Sequence, residues 1–545
     1  MGRALLLCLL VGLLGCGDDP PTGPLAYHVT HYDYTFDVET RAAHATVTLK
    51  VDESGDCFDI PFRADAPANA TIDGDEVSAA ADGTKLQVCG SGYSAPEEIK
   101  LGLDLSIKLT TVGPSQVGYS ITKDNEGNSL YYLVSWVGGC DQFGPCDNRP
   151  DQFATYRFTV THPEGYKTRC PGTITEPSAT QTVCNFDLAG GPTYSTFGVA
   201  TYPAWTETDK GTWGGIKVTL YDRASTLIDA AIDPAWHDGY LAWMQATFGP
   251  YPFGSELRVL TAPTYWSGFE HPGNIVLDDS LAKVTRPRYW SETAHVLDHE
   301  IAHQWAGDQT TIKDTYDFVW KESMAEYLAY VYEDMQDPAK GLTTARYWKT
   351  AAQPALYYPV PGEKPELFNY YGDVYGEGPM ILFHQLEGMY GRDAVIRALQ
   401  NLLGKEHAIG VDDVIAELQR STGADLTDYA AAWIHGSGAP DWPKYNATFT
   451  PGGGTSTLAL TMMNKKPKAR GCLFHVALEG ANTGESFVMT IDTRTSEDQT
   501  LTIPTPSFTV TKVTFDPYAE CLVYKASGTP RLIRENPWVT EHALR

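Results

Sequence analysis

The 545-residue chain predicts an α+β multidomain protein on three observations. From about residue 27 to 205, apolar residues recur at every second position in short runs divided by turn residues, the pattern of half-buried strands. From 206 to 442 the pattern becomes mixed and then mainly helical, and beyond Gly452-Gly453-Gly454 short alternating runs return as a small C-terminal β-sandwich. A chain of this length exceeds one ordinary core, so folded units over 27–205, 206–442 and 443–545 are expected, with the glycine run marking a boundary.

In the first unit, Tyr32, Tyr34, Phe36 and Val38 alternate with polar residues, as do Ala45, Val47, Leu49 and Val51, then Tyr156, Phe158 and Val160. Period two predicts an antiparallel β-domain. Ahead of it, residues 1–16 read as an export signal: Arg3, then an apolar run from Ala4 to Leu14, then Gly15-Cys16. Leu13-Leu14-Gly15-Cys16 resembles a bacterial lipobox, which implies a lipidated Cys16, a tether over 17–26, and an exported lipoprotein held at a membrane. No later stretch approaches the roughly twenty apolar residues of a membrane span. Eight cysteines remain besides Cys8 and Cys16, an even count that suits disulfides in an exported chain. The sequence-local pairings are Cys57–Cys89, Cys140–Cys146, Cys170–Cys184 and Cys472–Cys521, although spacing alone does not fix connectivity. Net charge is −28 with 20% charged residues, an acidic folded chain without the basic face that nucleic-acid binding needs. Nothing in the sequence sets an oligomeric state.

In the second unit, helices are expected near 225–247, 287–306, 319–334, 377–403 and 411–435. The run Ser291 to Gly307 carries Ala294, Leu297, Ile301, Ala302 and Trp305 at helical spacing. On it stands His299-Glu300-Ile301-Ala302-His303. Residues four apart share a helix face, so His299 and His303 can place two imidazoles on one ion, with Glu300 beside them to take a proton from water. His295 is a competing ligand on the same face, ranked lower because a His295/His299 pair would put Val296 in the place of the base. Eighteen residues after His303 comes Glu322, in Trp-Lys-Glu-Ser-Met-Ala-Glu-Tyr on the next helix. Two histidines and a carboxylate suit one catalytic Zn²⁺ per chain, which keeps three protein ligands and an open position. Glu326, one turn further, is expected behind the ligands, accepting the outer N–H of a histidine.

"HEIAHQWAGD…KESMAEYLAY" resembles the aminopeptidase N-type zinc metallopeptidases (the alanyl aminopeptidase and leukotriene hydrolase-like gluzincins), whose pattern is His-Glu-x-x-His, eighteen residues, then Glu. Further segments agree in order: "GPCDNRPDQFATYRFTVTHPEGY", with Asn148-Arg149 where Asp-Glu is usual, "WTETDKGTWGGIKVTLYDRAS", "FGPYPFGSELRVL" and "IHGSGAPDW". The resemblance implies a thermolysin-like catalytic domain over 206–442 and a zinc aminopeptidase acting on peptides with a free N-terminus. Ser267-Gly268-Phe269-Glu270-His271 is similar to the family's Gly-x-Met-Glu-Asn strand, so the resemblance makes Glu270 the anchor for the substrate's α-amino group and Gly268, Phe269 and His271 its neighbours. Tyr375 matches the family tyrosine that stabilises the oxyanion, with Tyr370 a weaker helper. A second amine-binding acid is usual ahead of the Pro-Cys signature; here that position falls near Trp136, with Asp141 and Gln142 the nearest candidates. The family's largest members carry a long helical C-terminal domain, for which this chain has no room. Two other readings stay open: a zinc endopeptidase or epoxide hydrolase on the same site, and a non-catalytic surface binding module.

Overall fold

The computed structural model describes residues 22–110, 117–192, 194–464 and 470–526; Cys16 lies outside them. An eight-stranded sheet dominates the N-terminal part. Its order is Thr173–Ser178, Gln181–Pro192, Phe153–Thr161, Ala26–Asp37, Ala42–Glu53, Glu98–Ser106, Asp65–Ile72, Asp75–Glu76. The alternation acts as expected: Tyr32, Tyr34, Phe36, Val47, Leu49, Tyr156 and Phe158 all face the interior. The sheet departs from the antiparallel expectation at one seam, where Ala26–Asp37 runs parallel to Phe153–Thr161, pairing His31 with Thr155. Parallel neighbours need a long crossover, and the intervening hundred-odd residues form the rest of the domain. Sulfur bridges join Cys57–Cys89, Cys140–Cys146, Cys170–Cys184 and Cys472–Cys521.

The middle part opens on a five-stranded sheet in the order Thr206–Trp213, Ile216–Asp222, Glu256–Ala262, Asn274–Asp278, Gly268–Phe269. Helices follow, and their boundaries correct the sequence expectations. The 225–247 helix is two pieces, Ile228–Ala231 and Pro234–Phe248, because Asp233 caps Ala235 N–H and Pro234 opens a new first turn. The ligand helix is Glu292–His303, capped by the Ser291 hydroxyl on Ala294 N–H. It stops one turn before Gly307. Phe318–Gln336 follows, then Pro338–Ala352, a helix the periodicity did not predict. The expected 377–403 segment is the end of Leu367–Pro379, a π-helical turn Met380–His384, Gln385–Tyr390 and, past Gly391 at φ 90°, Arg392–Leu402. Residues 411–435 divide likewise into Val411–Thr422, Thr427–Tyr429 and a π-helical turn Ala430–Ile434, with Gly423 at φ 70° ending the first. No helix among the described residues is long and apolar enough to cross a membrane.

The C-terminal part holds a four-stranded sheet (Gln499–Pro504, Thr455–Met462, Lys444–Thr450, Tyr524–Lys525) and a three-stranded one (Ser486–Asp492, Leu473–Glu479, Lys512–Phe515). Lys444–Thr450 pairs antiparallel with Thr455–Met462. The three glycines are therefore the turn of a hairpin inside this part, and not a boundary. Lys349 Nζ on Asp516 (2.5 Å) and Leu522 N–H on Gln385 Oε1 (2.8 Å) tie it to the helices of the middle part.

Candidate active site

The helices Glu292–His303 and Phe318–Gln336 pack against each other and are buried along most of their length. Polar side chains on the facing surfaces must therefore satisfy one another. His299 and His303, one turn apart, bring their Nε2 atoms to 2.9 Å. Glu322 Oε2 completes a triangle, 3.3 Å from His299 Nε2 and 3.4 Å from His303 Nε2. A tetrahedral zinc centre with ligand bonds near 2.0 Å has edges of about 3.3 Å, so this donor set fits the ion. The helix end fixes one tautomer. The chain turns after His303 so that its Nδ1–H donates to Ala306 O (2.9 Å), leaving Nε2 as the lone-pair donor. Burial, then the neighbouring His303, lowers the His299 imidazole below its ordinary range, which favours the neutral form that binds metal.

A second set, Glu270, Glu300 and His303, also has donor atoms within 4.8 Å of one another. Lys321 decides against it. Its ammonium lies 2.7 Å from Glu270 Oε1 and 2.6 Å from Glu322 Oε1, so a dication between Glu270 and Glu300 would meet a fixed positive charge. Glu322 gives Lys321 its Oε1 and turns the other oxygen, Oε2, to the two histidines. Burial raises the cost of ionising Glu322, but Lys321 and His303 outweigh it and hold the carboxylate well below its usual range.

Glu300 is buried beside the triangle, and its Oε2 has no hydrogen-bond partner. A β-carbon on Gly268 would collide with the Glu300 carboxylate, so the glycine lets the carboxylate reach the edge strand. Burial, then Glu270 and Glu322, pushes the Glu300 carboxyl well above the ordinary carboxylate range. Trp266, Ser267, Gly268, His299, Glu300 and Tyr375 line one cleft. Tyr375 OH donates to Glu322 Oε2 (2.6 Å) and lies 2.7 Å from Tyr371 OH.

Behind the ligands, Glu326 Oε1 lies 3.4 Å from His299 Nδ1 and accepts from Tyr289 OH (3.0 Å). Its Oε2 accepts from Trp348 Nε1 (2.9 Å) and from His295 Nε2 (3.0 Å). His295 also reaches Glu333 Oε1 at 2.6 Å through Nδ1. Both its nitrogens are engaged, so it is no metal ligand. Burial disfavours its charged form, yet the two carboxylates raise it to about 10. Glu326 is correspondingly lowered to about 2, the His295 charge outweighing its own burial.

Three expected site residues stand elsewhere. Tyr370 points away: its hydroxyl donates to Pro359 O. On a helix it lies about 100° from Tyr371, and Tyr371, at i−4 from Tyr375, is the phenol that shares the cleft face. His271 is buried with Nδ1 on Ser195 O. The Phe269 side chain is also buried, 5.5 Å from the Trp266 ring. Strand alternation turns Phe269 and His271 from the cleft, while Glu270 faces Lys321. Around Trp136 no acid among the described residues faces the site. The Trp136 ring packs on Trp266 (4.7 Å), Phe318 (5.3 Å) and Tyr371 (5.3 Å), and Asp141 is bound by Arg63 Nε at 2.7 Å. Lys321 and Tyr371 were missed from the sequence. For Lys321 the reason is that its helix, which carries Glu322, Glu326 and Glu333 as well, is buried from Phe318 to Glu333 only through tertiary packing.

Residues 237–433 match the model of the peptidase family M1 domain. The chain is 28% identical over 324 residues to aminopeptidase N of Streptomyces lividans, covering 53% of this chain and 36% of that protein. It is 26% identical over 224 residues to the mouse thyrotropin-releasing hormone-degrading ectoenzyme, covering 37% of this chain and 20% of the other. The matched stretches thus span about a third or less of these relatives. Among solved structures, Legionella pneumophila aminopeptidase A in complex with aspartic acid superposes with a TM-score of 0.71 at 14% identity, over 93% of this chain and 60% of that one. A Deinococcus radiodurans M1 zinc metallopeptidase mutant bound to a Tyr-Ser-Ala substrate gives 0.62 at 20% identity, over 76% and 96%. These likenesses establish the fold.

Proposed function

We propose that this protein, whose residues 237–433 match the peptidase family M1 domain, is a zinc-dependent aminopeptidase releasing the N-terminal residue of peptides. The observation that carries the reading is the convergence of His299 Nε2, His303 Nε2 and Glu322 Oε2 within 3.4 Å beside an unpartnered, buried Glu300 carboxylate. When bound there, zinc supplies Lewis-acid polarisation of the scissile carbonyl and a lowered pKa for water. Glu300, its carboxylate otherwise uncommitted, takes the proton of the attacking water and delivers it to the leaving amine. Tyr375, held at the cleft by Glu322 and Tyr371, turns its hydroxyl to the developing oxyanion. Glu270 receives the substrate ammonium, which sets the peptide in register as an exopeptidase substrate. Aminopeptidase names among the relatives and the bound peptide in the Deinococcus structure support the same class.

The test compares a free aminoacyl arylamide with its N-acetylated form, with and without a chelator. The reading expects faster turnover of the free form, loss with chelator, and return with added zinc. Preferential cleavage of blocked peptides would favour an endopeptidase, and no cleavage a binding module. We also propose that Cys16 is lipidated and tethers the enzyme to a membrane facing away from the cytoplasm, on the strength of Leu13-Leu14-Gly15-Cys16 after an apolar run. Cys16→Ser should move the protein from the membrane to the soluble fraction; an unchanged distribution would end that reading.

A further inference from the structure

The carboxylate assigned to the substrate ammonium already holds a cation. Lys321 Nζ, with no solvent exposure, lies 2.7 Å from Glu270 Oε1 and 2.6 Å from Glu322 Oε1. The position is enforced. Lys321 immediately precedes Glu322 on a helix buried from Phe318 to Glu333, its Nζ stands 5.8 Å from the Phe318 ring centroid, and Gly307 approaches so closely that a β-carbon there would come within 3.0 Å of Lys321 Cε. Among the described residues no second acid compensates from the Trp136 side, where the Trp136 ring packs on Trp266, Phe318 and Tyr371. A substrate ammonium reaching Glu270 must therefore share one carboxylate with a fixed ammonium, and like charges at contact distance repel strongly in a dry site.

We infer that Lys321 is a specificity-determining residue, a built-in ammonium that competes with the substrate's own for Glu270. The protein then distinguishes free from blocked N-termini less steeply than a site with an uncommitted Glu270. The inference rests on the aminopeptidase reading for the identity of the ligand. Its physical content is the charge balance at Glu270, which binding alone can measure.

Zinc-loaded full-length protein and its Lys321→Asn variant are titrated by calorimetry with L-phenylalanine and with N-acetyl-L-phenylalanine. Relief of like-charge repulsion should tighten the free amino acid about tenfold, the lower end of what such a contact costs, while the acetylated ligand changes less than about threefold on the same scale. KM for a free-amine aminoacyl arylamide should fall in parallel, and Lys321→Arg should keep the wild-type ratio. Unchanged or weaker binding of L-phenylalanine to a folded, zinc-loaded Lys321→Asn protein would overturn the inference. If that variant does not fold, Lys321→Met carries the same two expectations. Absence of turnover in every form would instead remove the aminopeptidase reading, and the ratio of the two affinities would still decide the role of Lys321.

Discussion

Replacing Glu300 by glutamine separates chemistry from architecture at this site. The amide keeps the shape that fits against Gly268 but cannot accept a proton from water. General-base catalysis by a placed carboxylate contributes about 10²–10⁴ in rate, so kcat on a free aminoacyl arylamide should fall by about a thousandfold. The ligand triangle does not include residue 300, so zinc stays near one per chain by elemental analysis. Stability should move the other way. In the metal-free protein, burial beside Glu270 and Glu322 holds the Glu300 carboxyl well above its ordinary range. For an acid shifted upward, folding is penalised once pH exceeds the unfolded value, by about 1.4 kcal/mol for each pH unit up to the folded value. Glu300→Gln should therefore melt higher than wild type in metal-free buffer, by more at pH 7.5 than at pH 5. Steady-state kinetics, metal content and two melting curves make the assay. Activity above a tenth of wild type with full zinc, or a lower melting temperature at pH 7.5, would refute the assignment of a buried, unpaired base.

Glu326→Gln leaves the His295 imidazolium with Glu333 alone and should destabilise the protein by about 3 kcal/mol, as loss of one partner from a buried ion pair does; a melting temperature within a degree of wild type would contradict it. Because His295 is raised to about 10, its contribution to stability is full below about pH 6.5 and is lost as pH climbs through 10. Glu326, lowered to about 2, contributes fully above the ordinary glutamate range and fails only as pH falls through 2. Tyr375→Phe should reduce kcat by about 10²–10³, the usual cost of one oxyanion donor, with zinc retained. Tyr370→Phe, losing a hydroxyl directed at Pro359 O, should leave kcat within about threefold and lower the melting temperature, since a buried carbonyl loses its partner.

The metal triangle could be read from the sequence because its geometry is local. His299 and His303 need only one helical turn, and the burial of Phe318–Gln336 then decides which way Glu322 points. The aromatic alternation from Tyr32 to Val38 and from Tyr156 to Val160 fixed its faces by the same local rule. Chain breaks were harder. Pro234 after a capping Asp233 and Gly391 at φ 90° divide segments whose hydrophobic period continues past them. Asp337-Pro338 was an available start signal for the unforeseen helix Pro338–Ala352, where Asp337 caps Ala339 N–H. Long-range pairing was out of reach: nothing near Ala26–Asp37 announces a parallel partner more than a hundred residues away. At the site, Tyr375 was legible but its helper was not: one residue of helical rotation separates Tyr371, which meets Tyr375, from the expected Tyr370. The strand likewise turned His271 into the protein, and Lys321 became visible only once Glu270 and Glu322 were seen on either side of it.

Elemental analysis of purified, active protein bears most directly on the central claim that His299, His303 and Glu322 hold one zinc. One zinc per chain is expected, falling below about a tenth of that in His303→Ala, as the loss of one of three protein ligands implies, with activity lost in proportion. Full activity in material free of transition metal, or undiminished zinc in His303→Ala, would contradict it.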